Sequence, residues 1–356
     1  MDSLTQIVLG SSVAALVVPP NHRRRAILAG GVLGTLPDLD VLWFNVFSSD
    51  VVTEVTWHRG PSHSLLVLTV LGLLLWFLLK SRSSLIQASP LRWLLAIWLA
   101  LITHPLLDAF TVYGTQLLWP MKTPPVMWAT IFVIDPLYTV PLLIGVIAAW
   151  RLSPHKTAQQ ASGLGRARAA RNWLIAGLLV SSAYLAWSVA AKSLVDRVAS
   201  QSLVALNLQS APRFSTPLPF NTLAWRVIVM VPGGYWLGDR SLVADQGAMQ
   251  FTFHASDNQA LAQLASIPQL KRLLWFTQGF VAVHAQRGDD GELRLILADL
   301  RMGLEPDYFF RYDIAAIDEH GGWVAAPEIT LMPESGDLVR TLNWVWKRIY
   351  NSKATL

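Results

Sequence analysis

A chain of 356 residues that is 53% hydrophobic and only 14% charged is too apolar and too charge-poor for an ordinary water-soluble protein. Its net charge of +5 comes from Lys and Arg clustered between hydrophobic runs, a pattern that sets membrane orientation and argues against nucleic acid as a partner. With Cys 0, disulfides and thiolate metal sites are excluded, so any metal must be held by His and carboxylate.

Met1-Asp2-Ser3-Leu4-Thr5-Gln6 carries an acid where a secretory signal carries basic residues, so the amino terminus reads as retained. A helix needs about 20 apolar residues to cross a bilayer. The first two candidates are Leu4 to Val18, short and stopped by Pro19-Pro20, and Ala26 to Phe47, interrupted by Gly34-Thr35-Leu36-Pro37-Asp38-Leu39-Asp40. Ser64 to Leu79, Trp93 to Phe110, Val126 to Trp150 and Trp173 to Ala191 follow, making six expected spans. Thr157 to Ala170, rich in Ala, Gly and Arg, reads as a loop or partly helical linker.

Basic residues then set the orientation. Arg23, Arg24 and Arg25 follow the first span, Lys80, Arg82 and Arg92 the third, and Arg151, Lys156, Arg166, Arg168 and Arg171 the fifth. The connections Ser48 to His63 and Thr111 to Pro125 carry only Arg59 and Lys122. The positive-inside rule makes the three rich loops cytoplasmic and puts both the amino terminus and everything after Ala191 outside. The tail alternates like strands in Ala224 to Met230 and Leu293 to Leu297, with turn signals at Pro232-Gly233-Gly234 and Gly288-Asp289-Asp290-Gly291. The expected fold is a multi-span α-helical membrane domain over residues 1–191, followed by a small extramembrane α+β domain over residues 192–356. In a bacterium this is a multi-pass inner (plasma) membrane protein with a periplasmic or extracellular tail.

A charged group inside a span costs about 2.5–3.5 kcal/mol, so acids within spans mark candidate functional residues. Asp38 and Asp40 lie in the second span, His104 and Asp108 in the fourth, Asp135 in the fifth, and His58 and His63 just before the third. His104 and Asp108 are one helical turn apart on one face, which suits either a chelating pair or a buried hydrogen-bonded pair. His58-Arg59-Gly60-Pro61-Ser62-His63-Ser64 gathers two imidazoles and a guanidinium at a helix start, suited to an anion or to a polar membrane interface. Asp38 and Asp40 flank a broken helix, and Asp135 precedes Pro136, so local capping is an alternative for each. With orientation fixed, all of these, with Asp2, fall toward the outer leaflet, while His22 falls on the other side. That shared side favours one metal site. In the tail, His254, His284, Asp239 and Asp299 read as ordinary turn or surface residues.

The ordered set of Met1 to Gln6, Gly34 to Asp40, His58 to Ser64, Thr103-His104-Pro105-Leu106-Leu107-Asp108 and Asp135-Pro136-Leu137-Tyr138 resembles the YdjM family of inner-membrane proteins, described as metal-dependent hydrolases. It spans about residues 1–190, and Pro219 to Arg226 and Leu273 to Phe276 look like the tail of longer members. The resemblance implies hydrolase activity and a remote similarity to zinc-dependent phospholipase C and P1-type nucleases. His104 and Asp108 would match their HxxxD pair, with His63 and one of Asp38 or Asp40 upstream. The sequence departs from a second such pair, because Ile131 stands four residues before Asp135, and from a frequent family His, because Gln6 stands there.

The expected chemistry is hydrolysis of a phosphodiester or related ester by a metal-activated water. Zinc, or manganese, would be held among Asp40, His58, His63, His104, Asp108 and Asp135, with Asp38 as base and Arg59 stabilising the developing anion. Site depth suggests a lipid or lipid-linked substrate and contact with membrane lipids. The rivals are a non-catalytic scaffold or regulator whose exported tail binds a partner, and a transporter, which would need acids continuing to the cytoplasmic face.

Overall fold

The structure is a computed structural model and describes residues 1–48, 50–153, 161–288, 290–333 and 336–355. Helix α1 (Ser3–Val17) starts where the Asp2 carboxylate accepts from the Thr5 amide at 3.0 Å, a side-chain N-cap. A 3-10 turn at Pro20–His22 leads into α2 (Arg23–Thr35), and a second at Leu36–Leu39 into α3 (Asp40–Phe47). After α4 (Val51–Trp57), capped by Asp50, the chain turns through Pro61–His63 into α5 (Leu65–Lys80). The short α6 (Ser84–Ala88) precedes α7 (Pro90–Asp108), and α8 (Pro136–Leu152) and α9 (Ala161–Val204) complete the helical region.

Among the described residues, three stretches are long and apolar enough to cross a membrane: Pro20–Phe44, Pro90–Asp108 and Leu164–Val204. A fourth arises if Val51–His63 and Leu65–Lys80, bent by 52°, count as one broken span, while Ser3–Val17 and Pro136–Leu152 are apolar but shorter. The expected count of six therefore becomes three or four by length and composition, plus two short helices. The difference at the fifth span has a local cause. Residues 126–135 are not helical, because Val126 bridges to Thr115 while the Trp128 and Thr130 amides donate to the carbonyls of Ala109 and Phe110 at 2.7 and 2.8 Å. The helix begins only at Pro136, whose missing N–H costs nothing at a first turn. In the expected linker, residues 157–160 lie outside the described residues, and 161–170 are helical, forming the start of α9.

Helices α1 and α2 pack backbone to backbone. A Cβ built on Gly30 would lie 2.3 Å from the Gly10 carbonyl oxygen and 2.7 Å from the Ala14 Cβ, so only glycine permits this approach. This contact draws the end of α2, and the acids that follow it, against α1 and α7.

The carboxyl-terminal part follows without a break, since α9 continues past Ala191 and buries Val195, Ala199 and Leu203 against Trp225, Val227 and Val229. Strands β1 (Arg213–Pro217), β2 (Ala224–Val231), β3 (Gly234–Ser241) and β4 (Thr252–Ala255) form an antiparallel sheet in that order. Helices α10 (Asn258–Leu264) and α11 (Pro268–Thr277) precede β5 (Val281–Arg287) and β6 (Leu293–Asp299). A two-stranded ribbon of β7 (Gly303–Leu304) and β8 (Asp307–Tyr308) leads to β9 (Arg311–Ile317) and β10 (Trp323–Leu331), and α12 (Leu338–Tyr350) ends the fold. The second sheet runs β10-β9-β6-β5, again antiparallel. Asp239 and Asp299, taken as unexceptional from sequence, pair with Arg226 and Arg301. Val52 of α4 enters the core formed by Leu273, Val281 and Leu297, so the two regions share buried surface.

Gly30→Val places side-chain atoms inside the Gly10 carbonyl and should destabilise the protein by at least the about 1–3 kcal/mol typical of overpacking. Gly165→Ala, in α9 with nothing within 4 Å of its built Cβ, should be neutral or slightly stabilising. Thermal unfolding of both variants in mild detergent checks the contrast, and equal melting temperatures would contradict the close approach.

Candidate metal centre

His104 and Asp108 occupy the last turns of α7 and face the same side, as their spacing requires. His63 reaches them from the turn before α5, where Pro61 shapes the backbone, and Asp38 from the turn between α2 and α3. Their four donor atoms all lie within 4.8 Å of one another. The Nε2 atoms of His63 and His104 are 3.0 Å apart, and Asp38 Oδ1 is 3.2 Å from the former and 3.3 Å from the latter. Asp108 Oδ2 is 3.3 Å from His63 Nε2 and 3.5 Å from His104 Nε2. A tetrahedral ion with bonds of about 2.0–2.2 Å separates its ligands by about 3.3–3.6 Å, and these five separations of 3.0–3.5 Å lie near that range.

The hydrogen bonds behind these atoms fix which nitrogen is free. His104 Nδ1 is 2.5 Å from the Gly34 carbonyl in the last turn of α2, where carbonyls lack intrahelical donors, and a carbonyl can only accept. Ser62 Oγ donates to Asp40 at 2.5 Å and therefore accepts from His63 Nδ1 at 2.9 Å. In its neutral form each imidazole would turn an unprotonated Nε2 toward the group, as metal-binding histidines do. Asp108 Oδ1 accepts from Gln6 Nε2 at 3.0 Å and from the Met1 nitrogen, whereas the fully buried Oδ2 has no hydrogen-bond partner. An orphaned carboxylate oxygen facing two imidazole lone pairs fits a bound cation.

The other expected site residues stand around this group in different roles. Asp40, expected as a ligand, instead gathers the surrounding hydrogen bonds: Ser62, His58 Nδ1 at 2.9 Å and the Arg59 amide at 3.3 Å. His58, also expected as a ligand, is held by Asp40 outside the four. Arg59 is buried, with Nε 3.2 Å from Asp108 Oδ2, Nη1 donating to Thr111 Oγ1 at 3.0 Å and its guanidinium over the Tyr113 ring. Its φ of 62° is left-handed, a strain of about 1–3 kcal/mol for a residue with a side chain. Asp38, expected as a base, is one of the four donors. Asp135 is not brought to the group. It caps α8 through the amides of Leu137 and Tyr138 and accepts from Tyr184 at 2.8 Å, so its oxygens are used locally. Asp2 is likewise spent on capping α1, and His22 lies apart, accepting from the Trp93 indole at 3.2 Å.

Sequence reasoning missed Tyr113 and Arg272. Tyr113 sits edge-on to His58 and to Phe276 of α11, and its hydroxyl donates to the Val55 carbonyl at 2.8 Å. Burial pushes its phenol pKa up, keeping it a donor. Arg272 of α11 donates to Thr56 Oγ1 and O, both at 3.1 Å, and lies between the Trp57 and Trp275 rings. Neither has a motif, because each acts through distant residues.

Apolar helices that enclose a His/Asp group at their ends define a helical membrane protein with a candidate metal centre. Within that class the chain belongs to the YdjM inner membrane protein family, which matches residues 1–195 and so includes all four donors. It is similar to the inner membrane protein YbcI of Escherichia coli (strain K12), 34% identical over 116 residues. That stretch is 32% of this chain and 62% of YbcI, less than two thirds of the relative's length. No solved structure matches the chain.

Ser62→Ala removes the link between His63 Nδ1 and Asp40 without touching a donor. Metal affinity, measured by competition with a chelator, should fall about 10–100-fold, as for other supporting groups of this kind. Unchanged affinity would mean that His63 needs no such support.

Proposed function

We propose that this protein is a membrane-embedded metal-dependent hydrolase acting on a phosphodiester or ester of a lipid or lipid-linked substrate. The observation that carries this reading is the set of 3.0–3.5 Å separations that His63 Nε2 and His104 Nε2 make with each other and with Asp38 Oδ1 and Asp108 Oδ2. Two imidazoles and two carboxylates suit zinc, or manganese. When bound, such an ion lowers the pKa of a coordinated water toward about 7 and polarises a phosphoryl or carbonyl oxygen.

The chain's own groups would do the rest. His58 gives its Nδ1 proton to the Asp40 hydrogen bond, which leaves Nε2 to accept a proton from the attacking water and return it to the leaving oxygen. At 21% exposure the His58 side chain is open enough to meet a substrate. This places the base at His58 and makes Asp38 a ligand. Arg59 is committed to Asp108, Thr111 and Tyr113, so its role here is to hold Asp108 in place and balance its charge. The basic loops described above orient the site toward the outer face of the inner membrane, with the sheet domain on the same side.

Protein purified in mild detergent should carry a stoichiometric divalent metal, and His104→Ala and Asp108→Asn should each lose it. Metal analysis of all three reads this, and a metal-free wild type would sink the enzyme reading in favour of a scaffold. If metal is present, His58→Ala should retain it yet slow hydrolysis of labelled membrane lipids by about 100-fold or more, the usual scale of acid-base catalysis. Full activity in that variant would remove His58 from the chemistry. A cysteine at the exposed Thr123 should react with an impermeant reagent from the periplasmic side of spheroplasts, and labelling solely from the cytoplasm would invert the orientation.

A further inference from the structure

Of the four donors, three have fully buried side chains, while Asp38 is 23% exposed. Asp38 sits in the turn that continues into α3, so the open side of the group faces that helix. Alongside lies a cleft of about 290 Å³ lined by Asp40, Trp43, Phe44, Trp57, Pro61 and Ser62. Its lining is amphipathic: two aromatic side chains of α3 and one of α4 form the walls, and Asp40 and Ser62 form a polar end. That end is one hydrogen bond from a candidate ligand, since Ser62 Oγ is 2.9 Å from His63 Nδ1.

The walls differ in how they are held. Trp57 is fixed from behind by the Arg272 guanidinium, 4.8 Å from its ring centre, and by the bonds from Arg272 to Thr56. On the opposite wall, none of the described α3 side chains is buried, and Leu42, Trp43, Val46 and Phe47 are 61–71% exposed. Such a surface suits hydrocarbon, and α3 begins within the Pro20–Phe44 stretch that is apolar enough to cross a membrane. With α3 against lipid tails, a cleft with this polar inner end would open sideways into the bilayer. Its volume is at the lower end of ligand pockets, enough for part of a ligand rather than a whole lipid.

We infer that the cleft between α3 and the α4–Pro61 connection takes one hydrocarbon chain of an amphipathic lipid. The lipid enters sideways from the bilayer and sets its ester or phosphodiester head against Asp40, Ser62 and the His/Asp group. This rests on the hydrolase reading for the fate of the head, but the chain site itself is testable without turnover. Trp43, Phe44 and Trp57 act on chain recognition, and the sheet domain contributes through Arg272, a positioning residue for the Trp57 wall.

The test uses the whole protein in phosphatidylcholine nanodiscs holding a small fraction of phosphatidylglycerol with a diazirine on one acyl chain. Cross-linked residues are mapped by mass spectrometry, and metal content is measured on the same sample. The expected result is saturable labelling of Trp43, Phe44 and Trp57, reduced at least fivefold by excess unlabelled phosphatidylglycerol or by Phe44→Arg, with metal content unchanged in that variant. Arg272→Ala should shift label away from Trp57 while leaving Trp43 labelled. Labelling spread evenly over Val46, Phe47, Val70 and Phe77, without saturation, would show ordinary bilayer contact and overturn the chain site. Saturable labelling without metal would keep the chain site and remove the hydrolase reading, whereas metal without saturable labelling would do the reverse.

Discussion

Four lone-pair-bearing atoms converge in an apolar interior, and much of the helical region is arranged around that convergence. With Gly34 O and Ser62 Oγ facing the Nδ1 atoms, the Nε2 atoms of His63 and His104 lie opposite each other across 3.0 Å, with two carboxylate oxygens beside them. A proton on one imidazole can relieve only one or two of these contacts. A divalent cation satisfies all four donors at once. Asp108 is paired through Oδ1 with the Met1 nitrogen, but leaving its buried Oδ2 without a hydrogen bond costs about 1–3 kcal/mol, sizeable beside a total stability of about 5–15 kcal/mol. Arg59 offsets part of this charge, but its Nε makes no well-formed hydrogen bond.

Position at helix ends makes the convergence possible. An unbroken helix satisfies its own backbone and would carry His104 and Asp108 with nothing opposite them. The breaks supply the rest: the 3-10 turn after Gly34 brings Asp38, and the turn from Trp57 to Ser64 brings His63. That second turn is pinned from outside, with the Gln116 amide donating to the Arg59 carbonyl at 2.9 Å, Gln116 Nε2 to the Thr56 carbonyl at 2.9 Å and the Leu65 amide to the Leu117 carbonyl at 2.9 Å. The strained backbone at Arg59 persists because these bonds over-determine it. The sheet domain grips the same turn through Arg272 and braces the 109–135 connection with Gln278 Nε2 on the Pro125 carbonyl at 2.8 Å and Arg301 on the Tyr113 carbonyl at 3.2 Å.

What could be read from sequence followed the range of each interaction. HxxxD is a one-turn pattern, so His104 and Asp108 were legible as a pair, and the basic loops suggested that His63 and Asp38 share an end with them. The division between Asp38 and Asp40 was not legible. Both are acids beside a broken helix, and only the hydrogen bonds of Ser62 and His58 to Asp40 separate a donor from a support. Asp135 misled because an N-cap acid and a ligand look alike until the Leu137 and Tyr138 amides are seen on it. The apolar run from Val126 concealed a non-helical stretch, since hydropathy does not register the backbone bonds to Ala109 and Phe110. Alternation in the tail did signal strands, but the sharing of Val52 with its core is a contact between segments more than 200 residues apart, which no local pattern carries.

These elements also determine how the site can be reached. The connection between α7 and α8 lies over it, with Thr111, Thr115 and Gln116 buried, and α11 presses on that connection and on α4 through Phe276 and Arg272. From that side, covering layers separate the donors from water, which keeps the surroundings of the charged group low in dielectric and its electrostatics strong. Helices α1 and α7 close another side with the Gln6 contacts to Asp108 and to the His104 carbonyl. What stays open is the flank at Asp38 and α3, where the exposed side chains are aromatic and aliphatic. A site covered on those sides and open along an apolar flank would favour ligands that carry an apolar part, before any contact with the donors is made.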